Sequence, residues 1–467
     1  MRSPPHRSRP TRSRRRAPKH LLTSVLLLVT SVAAANAHAL APAHGPTARA
    51  ERADEAVLLG RIPGLPLWLL DAAVANAGVR AAAVLAIDGT VWWVSEGRTV
   101  RLATGMRAEQ ATSCGGALFA VDGLARLRRF ARAPGDPIAL DSGPEVSLLH
   151  RPACLDALPR GSDREGLSHG AVAVVAPFGD VVILERDLRV RSAALGVRAL
   201  PDAEPTVVDL GGGAVALAVL TEPTLRYRHG VLGDEVEAGA VVLLALPSLE
   251  VLGRWAPPAP AVIEERRSVA WAAHGEAGIH LTVSDDVGGA RIVSLAWRAG
   301  ALVRVAEGPD LGGASRWLHV IAAVDDRVYA QHRPHVRGPL VRYDLSVTPK
   351  DSARADAATG VLEPSVVATD LDVVSHVVGE RNLDRALWLR TLAPGVDALA
   401  LPYGDGGGVR WIRCDAFTCR TVHSTAIGGP LATNLALVGP SGAPEGLLAA
   451  DVDGSVWWLP IPAAWER

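Results

Sequence analysis

Four kinds of residue pattern in this chain could support chemistry: a run of three glycines, an Asp-x-Asp-Gly step, two histidines three apart, and two adjacent carboxylate pairs. Leu210-Gly211-Gly212-Gly213-Ala214-Val215-Ala216 satisfies Gly-x-Gly-x-x-Ala, the loop that cradles a dinucleotide pyrophosphate. That chemistry needs a helix directly after the glycines, with its amide groups aimed at the phosphate. Here the glycines lead into an apolar run and then Thr221-Glu222-Pro223, which reads as a strand ending in a turn. A Gly-rich turn is expected, and no cofactor.

Asp451-Val452-Asp453-Gly454 matches the middle of a calcium loop, where alternate carboxylates and a glycine wrap the ion. The preceding ligand position is Ala449 and the distal bidentate position is Pro460, so a divalent metal such as calcium would depend on ligands from elsewhere. His332 and His335 are separated by a proline that denies them one helical face, and no third ligand follows. Asp285-Asp286 and Asp325-Asp326 would suit acid–base or metal chemistry if they turned into a shared channel; otherwise they are solvated turn residues. The stretch Gly313-Ala314-Ser315-Arg316-Trp317 lacks the second glycine of a nucleophile elbow. No catalytic residue emerges from these patterns.

The four cysteines, Cys114, Cys154, Cys414 and Cys419, read as two disulfides. Cys414 and Cys419 flank Asp415-Ala416-Phe417-Thr418 between two strand-like segments, which sets them opposite each other across a hairpin mouth. Cys114 and Cys154 are the remaining pair. A four-cysteine zinc site would need two short spacings, and the first pair does not supply one.

Residues 1–37 have the layout of a secretory signal: a basic start without acidic residues, an apolar run from Leu21 to Ala35, and small residues before a cleavage point after Ala37 or Ala39. The run is shorter than the roughly 20 residues a membrane-spanning helix needs, so no stable membrane insertion is expected after processing. The full chain carries 48 Lys+Arg and 49 Asp+Glu; loss of the eight basic residues of the leader leaves 40 against 49. A chain near −9 is poorly suited to nucleic acid, which selects cationic surfaces. Residues 38–53, rich in Ala, Pro and His, are predicted to be disordered.

What must position any site is a body of short β-type runs, many apolar at nearly every position, as in strands covered on both faces. Weak helical periodicity appears only around Leu65–Ala77. The hexapeptide Asp88-Gly89-Thr90-Val91-Trp92-Trp93 returns as Asp453-Gly454-Ser455-Val456-Trp457-Trp458, each copy a two-residue hairpin turn in which Asp and Gly are both expected at positive φ. Turn centres recur at intervals of about 35 to 70 residues, a spacing that suits propeller blades. Residues 54–467 are therefore predicted to be all-β, a single β-propeller of about seven blades (six to eight) with its ends closing together.

Ile87-Asp88-Gly89-Thr90-Val91-Trp92-Trp93 and Cys114-Gly115-Gly116-Ala117-Leu118-Phe119-Ala120-Val121-Asp122-Gly123 resemble the Asp-Gly-x-Val-x-Trp hairpins of regulator-of-chromosome-condensation-like propellers and of related secreted bacterial ones. The resemblance implies architecture and carries no binding residues. The expectation is an exported protein, periplasmic or extracellular, that binds or scaffolds a protein, peptide or glycan. The alternative is a propeller hydrolase or lyase acting on carbohydrate or a lactone with a metal in its channel. Metal content and chelator sensitivity separate the two.

Overall fold

A computed structural model describes residues 55–71, 80–102, 108–114, 117–122, 126–132, 140–147, 152–155, 171–175, 180–184, 190–200, 203, 205–212, 214–228, 231–237, 239–259, 261–263, 268–273, 275–284, 290–309, 318–332, 340–346, 360–368, 387–402, 407–439 and 444–463. The predicted signal peptide and the segment 38–53 lie outside the described residues. Every regular element among those described is a β-strand. Of the weakly periodic stretch Leu65–Ala77, Pro66–Asp71 is a strand, because its apolar residues pair into a sheet; residues 72–77 lie outside the described residues.

Six four-stranded sheets, a two-stranded sheet and a nine-stranded sheet contain all the described strands. The nine-stranded sheet joins two antiparallel meanders through a short parallel contact, Ala306 with Gly360 and Glu307 with Val361, so eight meanders follow one another along the chain. The first comprises Pro66–Asp71, Ala81–Ala86, Val91–Ser95 and Arg98–Arg101. The second comprises Ala108–Cys114, Ala117–Asp122, Arg126–Arg132 and Leu140–Ser147. The third comprises Pro152–Cys154, Val172–Val175, Asp180–Leu184 and Val190–Ala194. Thr206–Gly211, Ala214–Leu220, Val241–Ala245 and Val251–Trp255 make the fourth, with the hairpin Thr224–Arg228 and Val231–Glu237 inserted between its middle strands.

The fifth comprises Val269–Ala273, Glu276–Ser284, Ala290–Arg298 and Ala301–Glu307; the two-residue strand Val262–Ile263 also pairs with Glu276–Ser284. The sixth is Leu318–Val324, Arg327–His332, Leu340–Ser346 and Gly360–Ala368. The seventh is Leu387–Ala393, Val396–Pro402, Gly408–Cys414 and Cys419–Ala426. Ala436–Val438, Gly446–Ala450 and Ser455–Pro460 form the eighth, whose fourth strand, Val57–Arg61, comes from the other end of the chain.

The second strand of each meander explains the apolar runs. All six residues of Ala81–Ala86 are buried, as are six of the seven in Val396–Pro402. A strand covered on both faces has no reason to alternate. Its two faces feed two different cores. Ala83 and Leu85 pack with Leu118 and Phe130 of the second meander, while Ala82 and Val84 pack with Leu448 and Val456 of the eighth. The same sharing links the second meander to the third, the third to the fourth, the fourth to the fifth and the fifth to the sixth. It continues from sixth to seventh and from seventh to eighth. The succession thus returns to its start.

The two matching hairpins occupy equivalent places. Ala86 N donates to Thr90 O at 2.8 Å and Gly89 N to Ala86 O at 2.9 Å; Asp451 N donates to Ser455 O at 3.0 Å and Gly454 N to Asp451 O at 3.1 Å. Each is a three-residue loop ending in a left-handed glycine, Gly89 at φ 80° and Gly454 at φ 83°. This corrects the expected two-residue turn. Asp88 and Asp453 need no positive φ, because only the last loop residue of this turn takes it.

Candidate functional site

The most developed polar arrangement lies between the sixth and seventh meanders. Asp397 is the second residue of its strand, directly after the turn at Gly395 (φ 74°). Register sets it opposite Thr391 on one side and Cys414 on the other, and Cys414 in turn opposite Cys419. One row across the seventh meander therefore runs Thr391, Asp397, Cys414, Cys419.

The Asp397 carboxylate is fully buried and its four bonds use both oxygens. Oδ2 accepts from Arg327 Nε at 2.7 Å and Tyr329 Oη at 2.6 Å; Oδ1 accepts from Thr391 Oγ1 at 2.8 Å and Arg327 Nη2 at 3.3 Å. Burial would raise its pKa, but the hydrogen bonds from Arg327, Tyr329 and Thr391 overcome that and hold the carboxyl below its ordinary value. Burial, and then the bond to Asp397, push the Tyr329 hydroxyl well above its usual range. Arg327 is desolvated yet held more firmly charged by Asp397. With its acceptor positions filled by donors, Asp397 is poorly placed to act as a base or metal ligand. It clamps one meander to the next, and losing one partner would leave a buried charge uncompensated.

On this clamp stands the loop 415–418. Cys414 and Cys419 are bonded at its base. Asp415 N donates to Thr418 O at 3.0 Å, and Asp415 Oδ1 accepts from Phe417 N at 2.8 Å and Thr418 N at 2.9 Å. These amide bonds, Phe417 first, hold the Asp415 carboxyl below its usual range, and Arg420 and Arg342 lie close enough to reinforce them. Both cysteines pack with Tyr329, Leu340, Leu399 and Ile412. At the tip, Phe417 is 90 % exposed, against 61 % for Val251, the next most exposed large apolar residue described.

Around the loop the charges are sorted. Arg327 also pairs with Asp325 and Asp326 at 3.3 and 3.4 Å, and Arg342 with Asp344 at 2.9 Å while donating to Gly395 O at 3.0 Å. Both arginines are buried; the three aspartates are exposed.

The remaining sequence candidates disperse. Gly211 and Gly212 take positive φ in the turn between Thr206–Gly211 and Ala214–Leu220, and a strand follows where a pyrophosphate site would need a helix. Asp451 is spent on its own hairpin: Oδ1 accepts from Asp453 N and Ser455 N, and Oδ2 from Trp457 Nε1 at 2.9 Å. Asp325-Asp326 forms the turn before Arg327. Asp285, Asp286, Ser315 and His335 lie outside the described residues, and His332 ends its strand. Cys114 is bonded to Cys154, tying the second meander to the third. Among the described residues no three His, Cys, Asp or Glu side chains are grouped to hold a metal ion.

Sequence reasoning missed Asp397, Arg327 and Tyr329, since partners 68 and 70 residues apart show no local pattern. It also missed His280, which sits inside an apolar run. His280 is fully buried, shares a 2.8 Å bond with Ser294 through Nδ1 and stacks on Trp271, ring centroids 5.5 Å apart. Burial alone lowers its pKa to about 3, so the ring is neutral.

No known protein family and no curated protein matches the chain. Among solved structures, Saccharomyces cerevisiae Sqt1 is similar over 88 % of this chain and 99 % of its own, with 10 % identity and a TM-score of 0.52. The computationally designed Ika8 protein covers 87 % of this chain, all of its own, at 11 % identity and a TM-score of 0.47. The first likeness speaks to fold alone.

Proposed function

We propose that the chain is an exported, eight-bladed β-propeller serving as a binding or scaffolding module for a protein partner. One observation carries the reading: the eight shared apolar clusters pass from each meander to the next and back from the eighth to the first. Such an order suits a closed ring whose loops gather at its two ends, a rigid frame for recognition. Eight blades would be one more than the seven expected, at the upper end of the six-to-eight range. Pairing of Val57–Arg61 with Ser455–Pro460 supports closure, because it removes a free edge at the seam. Export is supported by the leader and by two disulfides, which persist in oxidising compartments.

The test uses the full chain expressed with its leader. The purified product should begin just after Ala37 or Ala39, hold no stoichiometric metal, and melt at the same temperature with and without chelator. A tightly held divalent ion whose removal lowers the melting temperature would overturn the binding-module reading in favour of metal-dependent chemistry.

A further inference from the structure

We infer that the Cys414–Cys419 hairpin is a docking knob, in which Phe417 enters an apolar socket of a partner protein whose rim carries Lys and Arg. The inference rests on the binding-module reading and names the surface that reading uses. Scattered exposed apolar residues need no explanation, so exposure alone does not decide the matter. The way this one is held does. A disulfide, a backbone bond across the loop and two amide bonds to Asp415 fix four residues whose tip projects a ring into solvent. None of those bonds buries the ring. A preorganised aromatic with two side-chain torsions loses little freedom on binding, which is why such residues dominate interface energetics.

The base of the knob is equally fixed. Cys414 stands opposite Asp397, whose bonds to Arg327 and Tyr329 lock the seventh meander to the sixth. A force on Phe417 is thus borne by two meanders.

The chemistry of the socket follows from the charges. Asp325, Asp326 and Asp344 are exposed and Asp415 stands half-buried at the base of the knob, against one exposed arginine there, Arg420, with the half-buried Arg413 opposite it. Arg327 and Arg342 are turned inward, so the solvent-facing charge is acidic on balance. A cationic rim complements that acidic surround and would speed encounter. An anionic bilayer would be repelled by it, which argues against lipid as the occupant.

The test places the photo-reactive phenylalanine analogue p-benzoylphenylalanine at position 417 of the full chain in its native cells, with a control at Val251. The expected result is one dominant protein adduct from position 417, mapped to a partner peptide flanked by Lys or Arg and absent from position 251. Added wild-type chain should suppress that adduct about tenfold, and the Phe417→Ser chain should not. An Asp325→Asn/Asp326→Asn chain should form it less and with weaker dependence on salt. Asn suits position 325, which sits at φ 52°. Adducts to lipid, to a second copy of this chain, or equal in yield from positions 417 and 251 would overturn the inference. A failed cross-link would overturn it as well, and on a metal-free chain with an unchanged melt would leave the module reading standing.

Discussion

Acid should destabilise this protein through one ring. His280 is buried and neutral in the folded chain, with a pKa near 3, while the unfolded chain takes up its proton near 6.5. Between those values the unfolded state binds one more proton, so acidification favours unfolding. The stability His280 protects is fully present above pH 6.5 and drains away as pH falls toward 3. Each pH unit in that window costs about 1.4 kcal/mol, so moving from pH 7 to 4.5 should cost about 2 to 3 kcal/mol from this residue alone. Asp397 also loses ground in acid, but its lowered carboxyl gives up stability only as pH falls through the ordinary carboxylate value of 3.8, under the pH 4.5 of the assay. The assay is urea unfolding of wild type and His280→Asn at pH 7 and 4.5, comparing free energies within each pH. The variant should be less stable at pH 7 and should recover about 2 to 3 kcal/mol relative to wild type at pH 4.5, because Asn takes up no proton. Two pH profiles that stay parallel would show that the folded chain can protonate His280, and the account of its burial would fail.

Asp397→Ala should cost about 3 to 5 kcal/mol, since it strands the Arg327 charge and the Tyr329 hydroxyl; thermal or urea unfolding reads this, and a loss under 1 kcal/mol would deny the clamp its role. Replacing Cys114 and Cys154 by serine should cost about 4 kcal/mol and replacing Cys414 and Cys419 about 2, because the cross-linked loops differ in length, 40 against 5 residues of separation. Equal losses would contradict the loop argument. Gly454→Ala should be worse than Gly97→Ala. Both glycines have positive φ, but an added Cβ at 454 would meet Ile62 O at 2.4 Å while that at 97 meets nothing within 4 Å. The exposed case should cost about 1 kcal/mol and the other clearly more, measured by the same melts.

Strand character was legible because burial on both faces leaves a direct trace, an apolar run bounded by Gly, Pro or Asp. The disulfide of Cys414 and Cys419 was legible for a similar reason, since strands on either side dictate a hairpin. Counting the meanders was harder. The eighth takes its outer strand from Val57–Arg61, and pairing between distant segments leaves no local mark. The hairpin repeat was visible, but its loop length was not: Asp-Gly fits both the two-residue and the three-residue turn, and main-chain bonds decide between them. Side-chain partnerships were the least legible. Asp397 reads in sequence as one acid near a strand start, and only the packing of two meanders brings Arg327 to it. Phe417 could have been found, because an aromatic residue between closely spaced cysteines has little room to turn inward.

Both interfaces of the sixth meander contain buried polar groups, and they differ in how well those groups are satisfied. Toward the seventh, both oxygens of Asp397 are bonded, and one buried donor, Trp388 Nε1 opposite Leu399, lacks a partner among the described residues. Toward the fifth, alternation along Glu276–Ser284 puts His280, Thr282 and Ser284 on one buried face with Ser294, and both His280 Nε2 and the Tyr343 hydroxyl lack a partner among the described residues. A buried polar group without a partner costs about 1 to 3 kcal/mol. The same interface carries the parallel main-chain contact of Ala306 and Glu307 with Gly360 and Val361, which holds the outer edges of the fifth and sixth meanders together. Acid adds the His280 proton to the interface with more unsatisfied polar groups. Separation should therefore begin between the fifth and sixth meanders. Hydrogen exchange at pH 4.5, corrected for intrinsic rates, should show amides of 276–284 losing protection relative to pH 7 while those of 396–402 keep theirs. Equal loss in both strands would mean that acid opens the whole body cooperatively, and that the less satisfied interface is no weaker than its neighbour.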